Sequence, residues 1–304
     1  MKHIHISKHL LQQALTILWL VLLSTVSGCS NPGLIFANSL ARFDDYTAIE
    51  NIPYDKHELN RLSVYLPEHK QPQPVTIIFF YGGCWGGCET LNKEHYLFVA
   101  QALTAKGFNV VIPDYRRHPE VKFDDIMRDA TRAVEWVKAH IAEYGGDPDK
   151  LFLMGHSAGA HIAAMLTLNE KYLAPDTYRS IKGFIGLAGP YDFLPFTDAY
   201  QKIVFGPVEN YPNTQPVNFV DGTELPLLLL YGNDDDTVKP VNIESLSRTV
   251  KLKGGCVESH RYDGLNHADL LGALSIPLQA QEPVLNDIVD FVSYYVDGSK
   301  LCRH

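Results

Sequence analysis

An α/β fold with a mostly parallel central sheet and helices on both faces is predicted by three features of the 304-residue sequence. Apolar, β-branched runs of strand length alternate with segments of helical period, the pattern of βαβ units whose strands lie parallel and buried on both faces. The run Leu151-Phe152-Leu153-Met154 passes through Gly155-His156-Ser157-Ala158-Gly159 into a helix-patterned stretch ending at Leu168, giving strand, sharp turn and helix in succession. The run Leu225-Pro226-Leu227-Leu228-Leu229-Leu230-Tyr231 empties into Gly232-Asn233-Asp234-Asp235-Asp236. Carboxylates are thereby set at the carboxyl end of a buried strand, where open α/β sheets bind their ligands.

The elements follow in order. Extended chain near residues 62–66 precedes a buried strand at 75–80, rich in β-branched and aromatic residues, which leads into a loop carrying Gly82, Gly83, Gly86 and Gly87. A helix is expected over about 91–106, a strand at 109–112 and a helix over 124–142. Around that last helix Phe123, Ile126, Met127, Ala130, Val134, Val137 and Ile141 recur every three or four residues and form one apolar face. Beyond the turn at Ser157 come strands at 183–187 and 225–231, a helix over 241–252, an alternating edge strand at 256–262 and a helix over 284–296. Residues 189–224 are rich in proline and aromatics without a clear period and read as a small cap-like insertion. Its Tyr191, Phe193, Phe196, Tyr200, Phe205 and Tyr211 either line a substrate pocket or cover the core. The organisation read from the sequence is a leader at 1–28, an N-terminal tether or extension at 29–54 and one domain over 55–304.

Ser157 carries the chemistry. Glycines two residues before and after it let strand and helix pass without Cβ collisions, and the unpaired amides that begin the following helix offer donors to negative charge. A serine hydroxyl needs an imidazole to take its proton, and the imidazole needs a carboxylate to fix its tautomer and stabilise its cation. Past Ser157 the order is an acidic loop and then Asp263-Gly264-Leu265-Asn266-His267 after the last strand, which makes His267 the base. Three consecutive aspartates leave the acid ambiguous on chemistry alone. Asp235 is taken, with Asp234 the competitor and Asp236 a solvated turn residue. His156, beside the nucleophile, is read as structural or pocket-lining.

The loop Tyr81-Gly82-Gly83-Cys84-Trp85 with the serine turn, and the segments Pro113-Asp114-Tyr115-Arg116, Tyr144-Gly145-Gly146-Asp147-Pro148 and Gly189-Pro190-Tyr191-Asp192, resemble the α/β-hydrolase superfamily in its esterase/lipase-like, carboxylesterase branch. The resemblance covers roughly residues 55–297. The spacing from Gly232 to Asp235 is similar to the acid loop of that superfamily and supports the choice of Asp235. The likeness implies a catalytic triad of Ser157, Asp235 and His267. Its oxyanion hole would be built from the backbone amides of Ala158 and Gly83, with Cys84 as a further donor. It also implies hydrolysis of small to medium carboxylic esters through an acyl-enzyme, with no cofactor and no metal. The same triad serves amide or formamide bonds, and a non-catalytic binding lipoprotein on this fold is the reading from another class. The family's loop histidine is replaced here by Tyr81, which bears on the packing beneath the loop.

The first 28 residues hold Lys2 and Lys8, no acid, and an apolar run at 14–23 too short for a comfortable membrane span. They end in Val26-Ser27-Gly28-Cys29, which resembles the bacterial lipoprotein processing box. Cys29 would become a lipidated N-terminus, with an ordinary cleaved signal or an uncleaved anchor as alternatives. Ser30 next to it favours, by that likeness, the outer membrane facing the periplasm. Removing residues 1–28 takes away two lysines and deepens the net charge from −9 to −11. Such an acidic chain with no basic cluster does not suit nucleic acid as a partner. With Cys29 acylated, four cysteines remain in an oxidising compartment, and three pairings are open. The preferred one joins Cys84 to Cys88, closing the glycine-rich loop, and Cys256 to Cys302, tying down the C-terminal tail. The Cys-x₃-Cys spacing lacks the second matched pair of a zinc site.

Overall fold

The computed structural model describes residues 32–69, 74–88, 91–298 and 302–303. The expected leader and Cys29 lie outside these residues. The chain opens with helix α1 (Pro32–Ala41) and continues into strands β1 (Tyr46–Pro53), β2 (Arg61–Pro67) and β3 (Thr76–Phe80). Helix α2 (Leu97–Thr104), strand β4 (Asn109–Pro113), helix α3 (Phe123–His140), strand β5 (Leu151–His156) and helix α4 (Ala158–Leu168) complete the first half. The second half runs α5 (Pro175–Ser180), β6 (Ile181–Leu187), α6 (Ala199–Phe205), β7 (Leu227–Gly232), α7 (Val241–Lys253), β8 (Val257–Tyr262), α8 (His267–Gly272) and α9 (Val284–Tyr295).

These strands form one eight-stranded sheet in the order β1-β2-β4-β3-β5-β6-β7-β8. β1 pairs with β2 and β2 with β4 antiparallel, and every later pair is parallel. The order reverses on either side of β3, so β5 lies between β3 and β6, and the loops leaving all three strands converge at one edge. Residues of β3, β4, β5 and β7 are buried throughout, as strands covered on both faces must be. β8 alternates instead and sits at the sheet's edge. This is the α/β-hydrolase fold.

Two stretches differ from the sequence reading. Residues 29–54 were expected as a tether, but α1 packs on α2 and β1 extends the sheet as an edge strand. The eight residues of β1 show no clean inside-outside alternation because a bulge between Ile49 and Ile52, where Asn51 takes a φ of 60°, interrupts the strand's period. The single helix expected over 91–106 is a 3-10 turn at Lys93–Tyr96 followed by α2. Asn92 caps that turn by accepting from the Glu94 amide, and Lys93 is drawn inward to a buried carboxylate.

Candidate active site

The turn after β5 places Ser157 in a conformation that L-residues rarely adopt, with φ 55° and ψ −126°. Backbone of this kind costs about 1–3 kcal/mol and persists only where its surroundings enforce it. Here the surroundings are close backbone. A Cβ at Gly155 would lie 2.4 Å from the Gly159 carbonyl carbon and oxygen, and one at Gly159 would lie 2.0 Å from the Phe80 carbonyl oxygen. Both positions therefore exclude any side chain, and strand and helix cross at the tip of β3. The Ser157 amide donates to the Leu187 carbonyl at the end of β6, which fastens the turn to the sheet. Ala158 is the first residue of α4, so its N–H has no acceptor within the helix.

His267 opens α8, in the loop after β8, and its Nδ1 lies 2.8 Å from Asp235 Oδ2. Asp235 follows β7 and is buried, whereas Asp234 and Asp236 on either side are exposed. Its other oxygen, Oδ1, accepts from the amides of Thr237 and Val238, both at 2.9 Å. Burial pushes the Asp235 carboxyl up, but the hydrogen bond and charge of His267, with the Val238 and Thr237 amides, outweigh it. The carboxyl is held below its ordinary range. Asp235 is thus a fixed anion against one nitrogen of His267, leaving Nε2 as the ring nitrogen that can take a proton.

His156 holds the same loop from below. Its Nε2 donates to the backbone carbonyl of His267 across 3.0 Å, and the two rings lie 4.7 Å apart. Burial, then the neighbouring His267, push its pKa down to about 3, so the ring is neutral and the Nε2–H tautomer is the one that bonds. A Cβ at Gly82 would meet Ser157 Cβ at 3.0 Å and the His156 carbonyl oxygen at 3.2 Å. The glycine-rich loop therefore runs directly alongside the serine turn.

That loop is bent by four consecutive residues with positive φ: Gly83 at 115°, Cys84 at 53°, Trp85 at 54° and Gly86 at 98°. A disulfide joins Cys84 to Cys88 across the bend. The Trp85 indole is buried and donates through Nε1 to His161 Nδ1 at 3.1 Å, while His161 Nε2 donates to the Thr214 carbonyl at 2.8 Å. Burial pushes His161 down to about 4, so it too is neutral. Trp85 also stacks on Phe193 and meets Phe205 edge-on, at ring distances of 5.7 and 4.8 Å. Phe196, packed on Phe205 at 4.9 Å and against Tyr211 at 4.6 Å, completes the cluster. The aromatics of residues 189–224 therefore roof Trp85 and clamp the glycine-rich loop.

Tyr81 answers the packing question raised by its sequence. Its ring is stacked between Tyr96 and Tyr115, at 5.2 and 5.0 Å. Its hydroxyl donates to Asp114 Oδ1 at 2.7 Å, and Lys93 Nζ pairs with Oδ2 of the same carboxylate at 2.7 Å. Tyr115 closes the circuit by donating its hydroxyl to the Tyr81 carbonyl. Sequence reasoning missed this network and the Trp85–His161 link. The one available signal for His161 was its place one helical turn after Ser157, on the same side of α4.

The BD-FAE family model matches residues 62–250, which carry the glycine-rich loop, the serine turn and the acid loop. The chain belongs to the BD-FAE family. This family member is 30% identical over 288 residues to the Probable isoprenylcysteine alpha-carbonyl methylesterase ICMEL1 of Arabidopsis thaliana, covering 86% of this chain and 59% of that protein. It spans about three-fifths of the length of the curated methylesterases it matches. Over 150 residues, 49% of this chain and 48% of the relative, it is 35% identical to the Kynurenine formamidase of Danio rerio. Among solved structures, a truncated carbohydrate esterase from gut microbiota superposes with a TM-score of 0.71 at 21% identity. That match covers 84% of this chain and 98% of the other.

Among the described residues, no three His, Cys, Asp or Glu side chains are grouped to hold a metal ion, and no helix is long and apolar enough to cross a membrane. A second disulfide joins Cys256, just before β8, to Cys302.

Proposed function

We propose that this BD-FAE family member is a serine hydrolase that cleaves carboxylic esters of small to medium size through an acyl-enzyme. The observation that carries the reading is the strained Ser157 turn beside the Asp235–His267 pair, with Asp235 fixed by two backbone amides. Ser157 Oγ attacks the ester carbonyl while His267 Nε2 takes its proton, and Asp235 stabilises the imidazolium that results. The oxyanion accepts from the amides of Ala158 and Gly83, with Cys84 as the neighbouring donor. His267 then returns the proton to the leaving alcohol. Water enters, loses its proton to His267, and attacks the acyl-Ser157 carbonyl to release the acid and regenerate the serine.

Esterase activity is supported by the relatives, whose names are those of methylesterases and a carbohydrate esterase. Formamide cleavage is the second reading, favoured by the likeness to Kynurenine formamidase. The chemistry differs only in the leaving group, an amine that must be protonated as it departs, so the same residues serve both. The test is fluorophosphonate labelling of wild type and Ser157→Ala, with turnover of short p-nitrophenyl esters and of formanilide run alongside. Labelling and turnover that vanish together in the variant support the serine mechanism, and the ratio of kcat/KM for ester over formanilide selects the bond. Labelling that survives Ser157→Ala sinks the assignment of the nucleophile.

A further inference from the structure

Helix α1 has two unlike faces. Asn38 fastens one of them to the body: its Nδ2 donates to the His95 carbonyl at 2.8 Å and its Oδ1 accepts from the Phe98 amide at 3.1 Å. Ala37 and Ala41 are buried on that side, with Leu34 packed against the core. On a helix turning about 100° per residue, Ile35, Phe36, Ser39 and Leu40 fall on the opposite side. There Ile35 is 51% exposed and Phe36 is 59% exposed, and Phe43, in the turn that continues the helix, is 87% exposed. Three of the eleven large hydrophobics that stay exposed among the described residues thus fall within nine consecutive positions. Scattered single exposures need no explanation, but a contiguous apolar face on a helix already anchored by its other side does.

We propose that this face rests on a lipid bilayer, with an acylated Cys29 as its tether. Two observations select that occupant. Cys29, which ends a segment resembling a lipoprotein processing box, stands three positions before Pro32. Even fully extended, that stretch of chain reaches about 11 Å, so α1 is held within about a headgroup's depth of the membrane whichever way the body turns. The exposed set is Ile and Phe without lysine, and its rim carries Arg42 against Asp44 and Asp45, with Asp44 already bonded to Gln101. Anionic headgroups therefore gain little from this surface, and burial of apolar rings in the interface supplies the attraction. An acylated N-terminus holds the chain at the surface but leaves its orientation free, and an adjacent apolar helix face is the second contact that fixes orientation.

The experiment uses the full chain purified from bacterial membranes. It is reconstituted in vesicles of phosphatidylcholine alone or with phosphatidylglycerol, and photolysed with a diazirine-bearing phospholipid. Label is expected on the peptide spanning residues 33–43, to the same extent in both lipids and at low and high salt. The double variant Phe36→Ser, Phe43→Ser should lose most of that label, several-fold or more, while its ester turnover matches wild type and shows the fold intact. Mass analysis should find acyl groups on Cys29. Three outcomes overturn the proposal: no label on residues 33–43 in a protein acylated at Cys29, an unmodified Cys29, or copies that cross-link through this helix in detergent as well as in vesicles. The last would assign the face to a second copy of the chain.

Discussion

At the scale of single residues, the candidate site turns on which aspartate faces His267. Asp235 is buried and divides its two oxygens between His267 and a pair of backbone amides, whereas Asp234 is exposed and offers only its amide to the Leu265 carbonyl. Asp235→Asn keeps the shape but loses the charge that stabilises the imidazolium, so kcat should fall by about 10³–10⁴-fold. Asp234→Asn should stay within about twofold of wild type, since an exposed turn carboxylate with no partner in the site contributes little. Steady-state ester hydrolysis by both variants checks this, and the reverse pattern would move the acid by one residue. His156 acts one step removed. Replacing it by Leu leaves the His267 carbonyl without its donor and frees the loop that carries the proposed base. A lost buried hydrogen bond of this kind costs about 1–3 kcal/mol, so kcat should drop about tenfold or more with KM nearly unchanged. His156→Gln, which restores an N–H at similar reach, should recover part of the lost kcat. A purely structural defect would lower active-site titre and leave kcat per titrated site unchanged.

At the scale of elements, the glycine-rich loop is the piece least able to hold its own shape. Four residues of positive φ in a row have no ladder to brace them, so the loop depends on the Cys84–Cys88 bridge and on the buried Trp85 indole. Cys84→Ser with Cys88→Ser should lower kcat about ten- to a hundredfold while thermal stability changes little, because displacing the proposed oxyanion donors by a fraction of an ångström would degrade the transition state without unfolding the core. Equal kcat in the bridged and unbridged proteins would show that the aromatic clamp alone suffices. Trp85→Phe keeps a ring in the cluster but leaves His161 Nδ1 buried without a donor. It should cost about 1–3 kcal/mol of unfolding free energy in a urea titration. The contrast between parts also explains what could be read from the sequence. β3, β4, β5 and β7 are buried on both faces and so appear as unbroken apolar runs, and the serine turn is written in glycines that backbone contact demands. The joining of Asp235 to His267 could be anticipated because chain order on a parallel sheet fixes which loops share an edge. β1 was not legible, since the bulge between Ile49 and Ile52 breaks its two-residue period. Nor was the Trp85–His161–Thr214 chain, in which residues 53 and 76 positions apart meet only through tertiary packing.

At the scale of the whole molecule, the two buried histidines make the fold sensitive to acid in a defined window. His156 and His161 are held at about 3 and about 4, far below the ordinary value of about 6.5, first because burial disfavours the cation. In the unfolded chain both regain that ordinary value. Between pH 6.5 and pH 4 the unfolded state therefore binds two protons that the folded state refuses, and linkage makes stability rise with pH across that range. The stabilisation is complete above about pH 6.5 and drains away as pH falls, at about 1.4 kcal/mol per pH unit for each histidine, until the folded-state values are reached. Asp235 has the same sign lower down, since a carboxylate held below its ordinary range contributes stability that is lost when it is protonated. Urea unfolding measured from pH 7 to pH 4 should show a falling midpoint, and the slope should become shallower by about half of the histidine contribution in His161→Gln. That variant keeps a side-chain donor for the Thr214 carbonyl while removing the titrating ring, so its slope reads protonation separately from the lost contact. A pH dependence unchanged by His161→Gln would mean that the acid sensitivity of the fold does not arise at His161.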